Sequence, residues 1–113
     1  MDCIFCKIID GDIPSEKIYE DDFILGIKDI NPQAPVHIIF FPKKHILDDA
    51  FGITEENSEI IAKMFLAIKK TAEKLELQNG FRIVNNCREN GKQSVRHFHL
   101  HLLGGRMLDG EMG

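Results

Sequence analysis

The sequence has no apolar run near the roughly 20 residues that a membrane-spanning helix needs. Its longest, Val36 to Pro42, has the length of a buried strand. It has no excess of positive charge. Lysine and arginine number 14 against 18 acidic residues, a net charge of -4, which argues against gripping a long nucleic acid by its phosphates. A local cluster is still enough for one nucleotide. The opening Met1-Asp2-Cys3-Ile4-Phe5-Cys6 lacks the basic start and apolar stretch of a secretion signal, so a cytoplasmic location is expected. Cysteine is scarce, at three residues. In that compartment the three read as thiols or metal ligands rather than disulfide partners. Repeats, low-complexity tracts and linkers are also missing. The 113 residues therefore read as a single domain, 1–113, with one core.

The pattern along the chain alternates short strands with one long helix. Ile4 to Ile9 reads as a helical turn, ended by Gly11 and Pro14. Ile18–Glu20 and Phe23–Lys28 read as strands around Asp21-Asp22. Asn31-Pro32-Gln33-Ala34-Pro35 is a loop, because each proline restrains itself and the residue before it. Val36–Phe41 is a β-rich run. From about Thr54 to Leu77 the spacing predicts a helix with Thr54 as its cap. Its expected apolar face is Ile61, Met64, Phe65, Ile68, Ala72 and Leu75. Phe81–Asn85 and His97–Leu103 are two further strands, joined by the polar loop Asn86–Ser94. This order predicts an α+β fold, an antiparallel sheet of about five strands with one long helix packed on it.

The most informative segment is His97-Phe98-His99-Leu100-His101-Leu102-Leu103. Side chains alternate faces along a strand, so the three histidines share one face and Phe98, Leu100 and Leu102 the other. At roughly 3.3 Å per residue, His97 and His101 would stand about 13 Å apart, a span suited to an extended anion. Histidine is both a nucleophile and an acid–base group near neutral pH. At a phosphorus centre one neutral imidazole can attack while a second, protonated imidazole donates to an oxygen or to the leaving group.

This segment resembles the His-φ-His-φ-His-φ-φ signature of the histidine-triad superfamily, φ being apolar. Its flanks, Gly91-Lys92-Gln93-Ser94-Val95 and Gly104-Gly105-Arg106, are similar to the Hint-like branch. So are Asp29-Ile30-Asn31-Pro32-Gln33-Ala34-Pro35-Val36-His37 and Pro42-Lys43-Lys44-His45. The resemblance spans Ile4 to about Arg106. It implies a homodimer whose sheets join into one, a purine nucleotide as substrate, and hydrolysis of nucleoside phosphoramidates. It places the nucleophile on His99, phosphate and leaving-group assistance on His101, and support on His97, with His37 as a fourth histidine nearby. Asp29 falls on the ribose-binding carboxylate, an acceptor suited to two hydroxyls. Asn86 and Ser94 fall near the phosphate and leaving group. Phe5, Ile27 and Ile30 fall on the lining of the base pocket. Two departures stand out. Lys92 occupies a position where many relatives have a second glycine, and the tail from Met107 to Gly113 lacks their Trp-Pro-Pro-Gly ending.

Cys3-Ile4-Phe5-Cys6 is a C-x-x-C, half of a tetrahedral zinc site. A redox pair is the rival, although no thioredoxin-like βαβ pattern surrounds it. The resemblance implies that His45 and His97 complete a structural zinc site with Cys3 and Cys6, with no organic cofactor expected. Cys87 reads as a buried or loop thiol. The leading expectation is a purine nucleoside phosphoramidase acting through a nucleotidyl-His99 intermediate. The alternatives are a dinucleoside polyphosphate hydrolase, or a nucleotide- or partner-binding module with incidental hydrolysis.

Overall fold

The computed structural model describes residues 3–112. It contains α1 (Ile4–Ile9), β1 (Lys17–Glu20), β2 (Ile24–Lys28), β3 (Val36–Pro42), α2 (Ser58–Lys74), β4 (Phe81–Val84) and β5 (Leu100–Gly104), with a short 3₁₀ turn at Ala50–Gly52. The strands form one sheet in the order β1-β2-β3-β5-β4, and each neighbouring pair is antiparallel. This is the expected α+β architecture. Among the described residues, no helix is long and apolar enough to cross a membrane.

The two helices cover opposite faces of the sheet. α2 closes the larger core, where Met64, Ala67 and Ile68 meet Ile24, Ile38, Phe40, Phe98, Leu100 and Leu102. α1 closes a smaller cluster of Phe5, Ile8, Leu25, Ile27 and Phe41. β2 and β3 therefore bury both faces, which is why Val36 to Pro42 reads as an unbroken apolar run rather than an alternating one. Gly26 is needed in β2, since a Cβ there would lie 2.8 Å from the Phe40 ring.

Three expectations are corrected. α2 begins at Ser58, not Thr54. The Thr54 hydroxyl accepts the Asn57 N–H while Asn57 Oδ1 accepts the Thr54 N–H. The two residues thus cap a turn that precedes the helix. Second, the buried face of α2 is Ile60, Met64, Ala67, Ile68, Thr71 and Ala72, and Phe65 is 47% exposed. Small side chains let this face sit close to the sheet, and the Thr71 hydroxyl is satisfied by the Ala67 carbonyl. Third, β5 starts at Leu100, so His97 and His99 lie ahead of the ladder. There the Phe98 N–H bonds the Leu47 carbonyl instead of β3. The alternation of faces survives: Phe98, Leu100 and Leu102 enter the larger core, while His97 and His99 meet Phe5 on the other side.

Candidate active site and metal centre

Five histidines gather on the α1 side of β3 and β5, and their hydrogen bonds determine their tautomers. His99 donates Nδ1–H to the His97 carbonyl over 2.8 Å. A neutral imidazole has one N–H, so the lone pair of His99 is on Nε2. Burial lowers the pKa of His99, which favours this neutral form. The Asn85 side-chain amide donates to the His99 carbonyl at 3.0 Å, fixing the residue from its other end. The Phe5 ring stands edge-on to His99 with centroids 5.0 Å apart.

A second chain of bonds sets His101. The Gln33 N–H donates to Nδ1 of His37 at 3.0 Å, so the His37 proton is on Nε2. That proton points at Nδ1 of His101, 2.8 Å away, and at the Asp29 carboxylate, 3.3 Å away. His101 then has its own proton on Nε2, as an outward donor. Burial, then the neighbouring His99 and His37, push the pKa of His101 down to about 4. It is a neutral N–H donor at pH 7. Asp29, His37 and His101 lie close enough to suggest a metal site. Their bonding argues otherwise, because the His37 nitrogen facing the cluster carries the proton.

The other expected residues are placed as follows. Asp29 Oδ1 accepts the Asn31 N–H at 2.8 Å, leaving Oδ2 toward the histidines. Phe5 and Ile27 share the smaller core. Ile30 does not join them and is 92% exposed beside Asp29. Asn86 donates to the Gly91 carbonyl at 2.7 Å, closing the loop that presents an exposed Ser94. Gly91 is required there, since a Cβ would lie 2.5 Å from the Cys87 carbonyl oxygen. Lys92 has φ of 63°, left-handed geometry that explains why glycine suits this position. The loop is anchored by Gln93, whose amide donates to the Asp48 and Val95 carbonyls. Arg88 adds an ion pair to the buried Asp49 at 2.8 Å. Two clefts among the described residues, of about 500 and 270 Å³, are lined by other residues and hold none of the histidines.

Cys3, Cys6, His45 and His97 form the second centre, with one donor atom from each within 4.8 Å of the others. His97 Nδ1 lies 3.3 Å from the Cys3 sulfur and 3.6 Å from that of Cys6. His45 Nδ1 lies 3.4 Å from the Cys6 sulfur. The far nitrogens are both occupied: His97 Nε2–H donates to the Pro42 carbonyl at 2.9 Å, and His45 Nε2–H to Asp48 at 2.6 Å. Both lone pairs therefore aim at the sulfurs, the outer-shell pattern of metal-bound histidine. The sulfurs are 2.8 Å apart. Ligand distances near 2.3 Å in a tetrahedral site require about 3.8 Å, a small opening of two partly exposed side chains. The donor set thus fits a closed four-ligand metal. Sequence reasoning missed three supports here: Asp48 behind His45, Asn85 behind His99, and Gln93 behind the loop. Gln93 lies inside a quoted motif, but its contacts are visible only after folding.

Comparison with known proteins shows the family. Residues 2–111 match the family model described as "Scavenger mRNA decapping enzyme C-term binding". A histidine triad protein from Clostridium difficile superposes with a TM-score of 0.94 at 45% identity, covering 99% of this chain and 97% of that one. The chain belongs to the histidine-triad family. Another histidine-triad structure, a "HIT family hydrolase" from Legionella pneumophila, gives a TM-score of 0.94 at 42% identity, with 99% and 100% coverage. A Brassica juncea relative named "14 kDa zinc-binding protein" is 44% identical across 96% of each chain.

Proposed function

We propose that this histidine-triad protein is a nucleotide hydrolase that cleaves purine nucleoside phosphoramidates through a nucleotidyl-His99 intermediate. The observation that supports it is the His99 tautomer: Nδ1–H is tied to the His97 carbonyl, so Nε2 is free to attack. His99 Nε2 bonds to the α-phosphorus as the bond to the leaving amine breaks. His101 Nε2–H hydrogen-bonds the phosphate and the leaving group, and the amine takes the proton it needs from water. Water then attacks the phosphorus, releases the nucleoside monophosphate and frees His99. His37 holds His101 in the donating tautomer. Ser94 and Asn86 attend the phosphate and leaving group, and Phe5, Ile27 and the exposed Ile30 line the base pocket. Purified protein should turn over adenosine 5′-phosphoramidate faster than diadenosine polyphosphates. The reverse preference would select the polyphosphate-hydrolase reading, and nucleotide binding without turnover the binding-module reading.

Zinc is the metal that Cys3, Cys6, His45 and His97 hold in this reading, in line with the name of the Brassica relative. With four protein ligands it supplies folding free energy and leaves no open position for substrate.

Asp29 is the ribose contact in this reading. Asp29→Ala should weaken nucleotide binding by about 1–3 kcal/mol, the scale of charge-assisted hydrogen bonds. Calorimetry should show a much smaller loss for a 2′,3′-dideoxy nucleotide. Equal losses for both would reject the contact.

The functional unit we infer is a cytoplasmic homodimer. β4 is an edge of the sheet, and its Phe81 is exposed, as are Phe65 and Leu66 on α2. Edge pairing across a two-fold axis would cover such surfaces. Sedimentation should give a dimer mass, and Phe65→Glu with Leu66→Glu should shift it toward monomer. A monomer mass at every concentration would contradict the assembly.

A further inference from the structure

The Cys3 and Cys6 sulfurs stand 2.8 Å apart, on residues that are both partly exposed. Cys3 precedes the first turn of α1 and Cys6 lies within it. A disulfide places its sulfurs about 2.05 Å apart, so closure asks for under about 1 Å from this arrangement and under about 2 Å from the roughly 3.8 Å that zinc ligation requires.

Three contacts join this pair to the catalytic face. Phe5, between the two cysteines in sequence, has its ring against His99. His97, whose Nδ1 faces both sulfurs, supplies the carbonyl that takes the His99 Nδ1–H. His45 is held by the Asp48 carboxylate, while the Asp48 backbone carbonyl takes the Gln93 amide that anchors the Ser94 loop. The metal centre therefore shares His97 with the nucleophile's support.

We propose that Cys3 and Cys6 are a redox modification site through which a peroxide switches off His99. Two thiolates, two protons and one hydrogen peroxide give one disulfide and two waters. The S–S bond forms as the O–O bond breaks; sulfur is oxidised and peroxide is reduced. A disulfide offers no thiolate, and the remaining two imidazoles are too few to retain a closed zinc site. α1 is then released from His97, and both the Phe5 wall and the His97 carbonyl loosen around His99. A thiol reductant with zinc reverses the change. The loss of turnover rests on the hydrolase reading above; the oxidation and metal release do not.

The test treats the zinc-loaded full chain with stoichiometric hydrogen peroxide. Intact mass should fall by two hydrogens, with the crosslink mapped to Cys3–Cys6. A chromogenic chelator should register zinc release in step, and the His99 ring signals should move in ¹⁵N NMR. Turnover should fall about tenfold or more, mainly in kcat, and return with dithiothreitol and zinc. Cys87→Ser should respond as the wild type does, and Cys3→Ser should form no crosslink. Thiols that only gain oxygen, a crosslink that leaves zinc bound, or a crosslink that leaves the His99 signals unmoved would each overturn the proposal. Mass, zinc and NMR changes in a protein with no turnover even when reduced would keep the redox site and reject the hydrolase reading.

Discussion

His99→Ala should lower turnover of a purine nucleoside phosphoramidate by about 10³-fold or more while changing nucleotide affinity by less than about threefold. Covalent catalysis needs a lone pair aimed at phosphorus, and the bonding of the other histidines leaves none to replace it. His101 presents N–H outward because Nδ1 accepts from His37. His97 directs its lone pair at the cysteines, and the His37 lone pair takes the Gln33 amide. His99 is buried, so the truncation also opens a small cavity. His99→Asn, which keeps a side-chain donor near the His97 carbonyl, separates chemistry from folding. It should fold and bind nucleotide but remain equally inactive. Steady-state kinetics with calorimetric binding reads both effects, and wild-type-like turnover in either variant would remove His99 from the nucleophile's role.

Losing the metal should have the largest effect on stability. Cys3→Ser with Cys6→Ser should cost about 3 kcal/mol or more, since a closed zinc site contributes folding free energy directly. For a chain of this size that is roughly 10 °C in melting temperature. The centre ties α1 to the approach of β5 and to the loop after β3. Without it, α1 is held by the small cluster of Phe5, Ile8, Leu25, Ile27 and Phe41. A strong chelator should lower the wild-type melting temperature similarly and leave the double variant unchanged. Metal analysis should find about one zinc per chain, as one closed site requires. A protein that takes up no zinc when reduced and melts unchanged with chelator would refute the metal reading.

Much of the architecture was legible because period and punctuation are local properties. Alternation across Phe98, Leu100 and Leu102 identified the core face of the triad segment, and prolines and glycines marked the loops. What escaped depended on partners distant in sequence. The start of β5 moved to Leu100 because the Phe98 amide bonds Leu47, which no periodicity reveals. The expected buried face of α2 included Ala72 but took Ile61, Phe65 and Leu75 in place of Ile60, Ala67 and Thr71, because large apolar residues were favoured over small ones that allow close packing. The spacing of the histidines and the C-x-x-C marked the triad and half of the metal centre, whereas Asp29, His37 and His45 entered only through the family resemblance. The tautomers were not legible, since each depends on a backbone group such as the Pro42 carbonyl or the Gln33 amide. The sharing of His97 between metal centre and nucleophile support was likewise invisible, because one residue uses its side chain and its carbonyl for different tasks.

The most direct test of the account is to trap the intermediate. Wild-type protein is mixed with adenosine 5′-phosphoramidate, quenched within one turnover, and measured by intact mass and peptide mapping. The account predicts an adenylyl adduct on His99 that appears and decays at the rate of turnover and is missing from His99→Ala. Turnover without any adduct, or with the adduct on another residue, would contradict it.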